Sequence, residues 1–248
     1  MLHSRFSSAF VGTLALSAVS SLMLGCGVPE PEDDLGQIQS EVTVCPGRSV
    51  LQGIDVSYYQ GSINWSQVKA AGNSFAIIRV SDGTGFMDPK FSANWSGSKS
   101  AGVVHGTYQF FRPGQSANAQ ADIVINNLRS AGFGSGDIPP VLDVEVRDGQ
   151  SNATIVAGIK AWVSKVQGAL GRKPIIYSSP SFWSGLGNPT ISGARLWIAH
   201  WGVSCPNVPT GWTGWSFWQY SSTGKVPGIA GNVDLDRFNG TLADLKSL

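Results

Sequence analysis

Asp143 and Glu145 stand two residues apart in Pro139-Pro140-Val141-Leu142-Asp143-Val144-Glu145-Val146, a run otherwise built of apolar and β-branched residues. Such a run predicts a buried strand of an α/β sheet. On a strand, residues i and i+2 share a face, with Cα atoms roughly 6.6 Å apart. Two like charges on one buried face are costly unless one takes a proton or both find partners. Acids at strand ends can also cap a helix or pair with an Arg, but this run holds two acids and no base. A carboxylate pair with separated pKa values is the apparatus of glycoside hydrolysis.

The elements that must position this pair show in the hydrophobic pattern. Strands are predicted over Val50–Ser57, Phe75–Val80, Val103–Phe110, Val141–Val146, Pro174–Tyr177, Leu196–Ala199, Ser216–Gln219 and Val233–Asp236. Helical spacing occupies Trp65–Ala71, Pro89–Ala101, Ala117–Ala131 and Thr154–Leu170. Asp88-Pro89 predicts a capped helix start, and Gly72, Gly102, Gly132 and Gly171 each follow a helix end. Strand–helix alternation implies parallel strands joined by right-handed crossovers. Eight strand candidates with too few clear helices predict an α/β fold, an irregular barrel resembling a TIM barrel with fewer than eight helices.

In such barrels chemistry collects at the carboxyl ends of the strands. Those ends carry Asp55, then Ser81 with Asp82, Tyr108, Asp143 with Glu145, Tyr177, Trp201 after His200, Gln219, and Asp234 with Asp236. Acids on four separate strands predict one convergent acidic cleft. Tyr58, Tyr108, Tyr177, Trp201 and Trp218 lie at or beside the same ends. Sugar C–H faces stack on such rings while carboxylates and amides bind hydroxyls, so the group favours a carbohydrate ligand. Trp183, Trp212 and Trp215 fit loop packing equally well.

Other chemistries find little support. His105 and His200 have no metal-ligand spacing, so no metal is expected. There is no GxSxG elbow and no GxxxxGK loop, and no cofactor is implied. From Cys45 onward sixteen Lys/Arg face eleven Asp/Glu, a diffuse balance of about +5. That suits an anionic polymer such as cell wall, and with no basic run it does not suggest nucleic acid.

Residues 1–25 have the form of a signal peptide: Arg5, an apolar run from Ala9 to Leu24, then Gly25-Cys26. Leu22-Met23-Leu24-Gly25-Cys26 resembles a bacterial lipobox, which would make Cys26 the lipidated first residue of the mature protein and attach it to a membrane. Ordinary secretion is the alternative. Residues 26–44, rich in Pro and acids, predict a tether. Extracytoplasmic Cys45 and Cys205 would then pair as a disulfide at the ends of the 45–248 domain, or remain two buried thiols. A monomer is expected.

The motifs together resemble the glycoside hydrolase family 25 lysozymes, over roughly residues 52–240. They are Gly53-Ile54-Asp55-Val56-Ser57 with Gln60 and Trp65, Val80-Ser81-Asp82-Gly83-Thr84-Gly85, and Gly106-Thr107-Tyr108-Gln109-Phe110. Pro140-Val141-Leu142-Asp143-Val144-Glu145, Ile176-Tyr177, Leu196-Trp197-Ile198-Ala199, Trp218-Gln219-Tyr220 and Val233-Asp234-Leu235-Asp236-Arg237-Phe238 complete the series. Asp82, Gln109 and Asp236 depart from it, standing where that family often has Glu, His and Asn. The resemblance implies a flattened β/α barrel that cleaves the β-1,4 bond between N-acetylmuramic acid and N-acetylglucosamine in peptidoglycan. It implies Glu145 as general acid and Asp143 as the group assisting the substrate's acetamido, with a direct nucleophile or an inverting base as alternatives. Asp55, Asp234, Tyr108, Tyr177, Trp201, Gln219 and Ser81 would bind the sugar. A non-catalytic wall-binding module and a chitin hydrolase are the rival functions.

Overall fold

The computed structural model describes residues 41–248. The signal peptide, Cys26 and the tether as far as residue 40 lie outside the described residues. In chain order the elements are β1 (Val42–Thr43), β2 (Leu51–Val56), α1 (Trp65–Ala70), β3 (Phe75–Asp82), β4 (Phe86–Met87), α2 (Phe91–Ser100), β5 (Val104–Phe110) and α3 (Ala117–Ser130). Then come β6 (Val141–Asp143), α4 (Asn152–Leu170), β7 (Ile175–Ser178), α5 (Pro180–Gly185), β8 (Arg195–Ala199), β9 (Asn207–Val208), β10 (Phe217–Gly224), β11 (Val233–Phe238) and α6 (Leu242–Lys246).

The main sheet runs β2-β11-β10-β8-β7-β6-β5-β3-β4, and a further β2–β3 pairing closes eight of these strands into a barrel. β2, β3, β5, β6, β7, β8 and β10 are parallel neighbours; β11 is antiparallel to both β10 and β2, and the short β4 is antiparallel to β3. Helices α1 to α5 make the early crossovers, whereas β8 reaches β10 by loops and the short β9. The barrel is therefore α/β and irregular, as the fading helical pattern predicted.

Period-two alternation sorts each strand into two layers. Phe75 and Ile77 of β3 join Val141, Ile175, Phe217 and Phe238 inside the barrel. Ala76, Ile78 and Val80 face outward with Ile54, Leu142 and Ile176, against Val124 and Leu128 of α3 and Ile159 and Trp162 of α4. A Cβ on Gly53 would meet the Phe75 ring at 2.5 Å, so only glycine lets that ring cross β2. Side chains of Asn64, Ser116 and Ser151 cap α1, α3 and α4, and Gly171 at φ +66° ends α4 in the left-handed region.

Two expectations of local structure are corrected. Helix α2 begins at Phe91, past Pro89, and its N-cap Lys90 makes no side-chain cap bond. Asp88 instead accepts from the Lys90 N–H and from Arg79 Nε, both at 2.9 Å. Strand β6 ends at Asp143, short of Val146; Val144 still bonds to β7, its N–H donating to the Tyr177 carbonyl at 2.9 Å and its carbonyl accepting from Ser178 Oγ at 2.8 Å, which carries the chain to the edge of Glu145.

Residues 41–44, read from sequence as the end of the tether, are held against the domain. Val42 and Thr43 pair antiparallel with β9, and Glu41 accepts from Ser184 Oγ and Asn207 Nδ2. The Cys45–Cys205 disulfide clamps the same segment, closing a separation of 160 residues. Among the described residues no helix is long and apolar enough to cross a membrane.

Candidate active site

Asp55, Tyr108, Asp143, Glu145, Tyr177, Trp201, Gln219 and Asp234 line one cleft at the barrel mouth. The parallel strands β2, β5, β6, β7 and β10 deliver most of them at or near their carboxyl ends. Asp234 arrives differently. It lies near the amino end of β11, directly across from Asp55, and the antiparallel direction of β11 brings it to the same mouth. Asp236, two residues on, points the same way one layer deeper and is completely buried.

Two groups of carboxyls result. Asp143 and Glu145 are neighbouring carboxyls, and both have raised pKa values. For Asp143 burial is the largest cause, followed by the charge of Glu145; for Glu145 it is the protein crowding its carboxyl, although the residue itself remains exposed to solvent. Two adjacent carboxyls in such surroundings titrate as a pair. Asp143 Oδ1 is buried with no hydrogen-bond partner among the described residues.

The second group is Asp55, Asp234 and Asp236. Burial raises Asp55 well above the ordinary carboxylate range, and the charges of Asp236 and Asp234 add to it. Asp236 is raised well above that range by burial, then by Asp234. Asp234 is pushed up to about 6, burial again first. Fixed donors surround these acids. Gln219 Nε2 donates to Asp55 Oδ2 at 2.7 Å, and Trp197 Nε1 donates to Asp236 Oδ1 at 2.9 Å. Tyr177 Oη and Trp201 Nε1 both donate to Gln219 Oε1 at 2.9 Å, which fixes which way the amide faces. Trp201 itself is 52% exposed at the rim.

A second hollow shares Glu145, Tyr177 and Trp201 with the cleft and continues past Ser179 and Asn207 to Glu41. Glu145 therefore stands where two hollows meet.

Two residues expected to face the ligand do not. Ser81 is completely buried and accepts from Gln109 Nε2 at 2.8 Å, on the side of the sheet where Trp162 of α4 donates to Gln109 Oε1. The cause is an irregularity in β3: Arg79 pairs with Tyr108 and Ser81 with Gln109, so two steps on β3 oppose one on β5. Trp218 faces outward, packed with Trp215, Leu196 and Ile198, its Nε1 donating to the His200 carbonyl. Asp82 turns to Arg112 at 2.6 Å, and the two histidines serve structure: His105 meets Asp137 at 3.2 Å and His200 Nδ1 accepts from the Asn207 N–H.

Sequence reasoning missed Arg79 and Tyr59, which also line the cleft. The two-residue period of Phe75, Ile77 and Arg79 was a signal for the first. For Tyr59 the neighbouring Tyr58 was the wrong choice of an adjacent pair.

Comparison with known proteins agrees with this geometry. Residues 54–229 match the model of glycosyl hydrolases family 25. The chain is similar to lysozyme M1 of Streptomyces globisporus, 41% identical over 228 residues covering 88% of this chain and 78% of that protein. It is similar to the N,O-diacetylmuramidase of Chalaropsis sp, 34% identical over 215 residues, 80% of this chain and 98% of that one. Among solved structures, the bacterial lysozyme from Streptomyces coelicolor superimposes with a TM-score of 0.74 at 40% identity, covering 82% of this chain and 98% of that one. The family model, the relatives and the solved structure agree, and the chain belongs to glycosyl hydrolases family 25.

Proposed function

We propose that this glycoside hydrolase cleaves the β-1,4 bond between N-acetylmuramic acid and N-acetylglucosamine in peptidoglycan, with Glu145 as general acid and Asp143 assisting the substrate's acetamido group. The observation that carries the assignment is the Asp143–Glu145 pair itself: two neighbouring carboxyls, Asp143 buried and Glu145 open to solvent, with Glu145 at the junction of two hollows. The names of the lysozyme and muramidase relatives support the substrate.

The chemistry follows from the placement of the two carboxyls. Inverting pairs stand ~6.5–9.5 Å apart to admit a water, and retaining acid–nucleophile pairs ~5–5.5 Å apart across the bond. Asp143 and Glu145 come from the end of one strand rather than from opposite sides of the cleft, so in this reading both act from one side. Glu145 gives its proton to the glycosidic oxygen as the bond to the anomeric carbon breaks. The acetamido carbonyl oxygen closes on that carbon from the opposite face while Asp143, left ionised, accepts from the acetamido N–H. Water then attacks as Glu145 takes back a proton, and the anomeric configuration is retained. Asp55, Asp234 and Gln219 bind hydroxyls, Tyr108 and Tyr177 wall the cleft, and Trp201 offers a ring face at the rim.

Borohydride reduction of digested peptidoglycan tests the bond cleaved. Reduced muramic acid is expected; reduced glucosamine refutes the reading. Glu145→Gln should abolish release of reducing ends while the protein still pellets with insoluble peptidoglycan, and full activity in that variant would defeat the role of Glu145.

The same reading takes residues 1–25 as a signal peptide, 26–44 as a tether and 45–248 as the catalytic domain of a monomer that works outside the cytoplasm. The disulfide supports an oxidising compartment. Lipidation of Cys26 predicts incorporation of labelled palmitate, lost in Cys26→Ser.

A further inference from the structure

Beside the cleft lies an aromatic cluster that the acids do not use. Tyr59 is 73%, Phe86 39% and Met87 44% exposed, which gathers three of the large apolar side chains that reach solvent into one patch. Tyr58 joins them, its ring centroid 4.2 Å from that of Tyr59 and 5.4 Å from that of Phe86. The cluster is braced from beneath. The Arg79 guanidinium lies 4.9 Å from the Tyr58 ring, 5.5 Å from Tyr59 and 5.3 Å from Phe86. Arg79 is buried, its Nη2 finds no hydrogen-bond partner among the described residues, and its Nε is paired with buried Asp88 at 2.9 Å. Asp88 also accepts from the Tyr58 N–H at 3.0 Å, tying the segment after β2 to the β3–β4 hairpin. A desolvated guanidinium is stabilised by ring faces, and it holds those rings in place.

Tyr59 and Arg79 also line the catalytic cleft, so the rings continue the ligand surface outward from Asp55 and Tyr108. Rigid ring faces in line with an acidic groove suit a sugar: its C–H face covers the ring at little ordering cost, while its hydroxyls stay in water. We propose that Tyr59 and Phe86, braced by Arg79, form a stacking platform that binds a further sugar ring of the glycan strand, beyond the residues that flank the scissile bond. This rests on the muramidase reading for its ligand, although not for its test.

The test compares Tyr59→Ala, Phe86→Ala and their double variant with Tyr59→Phe and Phe86→Tyr, which keep the rings. Purified insoluble peptidoglycan is the probe, before and after an amidase has stripped its peptide stems. Binding is read by pelleting in the Glu145→Gln background, and KM and kcat in the active one. Each alanine should weaken pelleting and raise KM about three- to ten-fold, as loss of one ring contact does, with the change in KM exceeding that in kcat. The ring-keeping variants should bind like the parent, and the defect should persist on stripped glycan. Unchanged pelleting by the double variant overturns the proposal. So does an equal loss in Tyr59→Phe, or a defect that vanishes once the stems are removed, which would make the occupant peptide. If the active protein releases no reducing ends yet the alanine variants still lose pelleting, the muramidase reading falls and the platform stands.

Discussion

The two acid groups of the cleft are made of the same carboxyls and are held in opposite ways. Asp143 and Glu145 come from one short strand and the residues just past it, and no fixed donor holds Asp143 Oδ1. Asp55, Asp234 and Asp236 come from two adjacent antiparallel strands and are pinned by Gln219 and Trp197. The first arrangement leaves a proton free to travel, because Glu145 reaches solvent. The second is closed off and held by fixed donors, its deepest member sealed from water.

The sharpest way to break this contrast is to neutralise one acid in each group. Asp143→Asn should lower kcat by a factor on the order of 10²–10⁴, the range of a lost acid–base or charge-stabilising group. Asp234→Asn should cost far less, about ten-fold, and largely in KM. Equal losses in kcat would mean that the second group takes part in the chemistry.

Asp236 sharpens the contrast further. Its burial, and then the charge of Asp234, raise its pKa well above the range where other carboxylates ionise. As pH rises through its raised pKa, it adds a negative charge beneath the cleft. Asp236→Asn cannot ionise, so the alkaline limb of the kcat/KM profile should move to higher pH. Asp236→Leu strands Trp197 Nε1 without its acceptor at a cost of about 1–3 kcal/mol, seen as a lower Tm. An unmoved alkaline limb in the Asn variant would remove Asp236 from the account.

The smallest effect is on stability. Asp234 has an ordinary pKa near 3.8 when unfolded and about 6 when folded. Between those values the folded state binds more protons than the unfolded one, so stability falls as pH rises. The contribution is fully present below about 3.8 and gone above about 6. Asp55, Asp143, Glu145 and Asp236 shift in the same direction. Asp137 and Asp244, whose pKa values are lowered, act oppositely and only in more acid solution. Tm should therefore decline from pH 4 to 6, and Asp234→Asn should flatten the slope; an unchanged slope would contradict the shift assigned to Asp234.

Much of the site was legible in the chain because a strand's period of two and the polar break at its end are both written in residue order. Asp55, Tyr108, Asp143, Glu145, Tyr177 and Gln219 were found that way, and each lines the cleft. Ser81 and Trp218 were misplaced for one reason: a step of a single residue reverses which face a side chain takes. The irregularity after Arg79 supplied that step for Ser81, and Trp218 is simply the outward neighbour of Gln219. No local pattern announces a bulge that depends on the strand next door.

Residue order alone thus determined the apolar strands, the capped helices, the pairing candidates among the cysteines and the acids available for chemistry, since all of these rest on periodicity and side-chain type. Tertiary structure decided which acids meet. Asp234 reaches the mouth because β11 runs antiparallel to β2, and Asp236 lies beneath it because the same face continues inward. Strand direction and closure of the barrel belong to pairings between distant segments, and the burial that raises a carboxyl's pKa exists only once those pairings have formed.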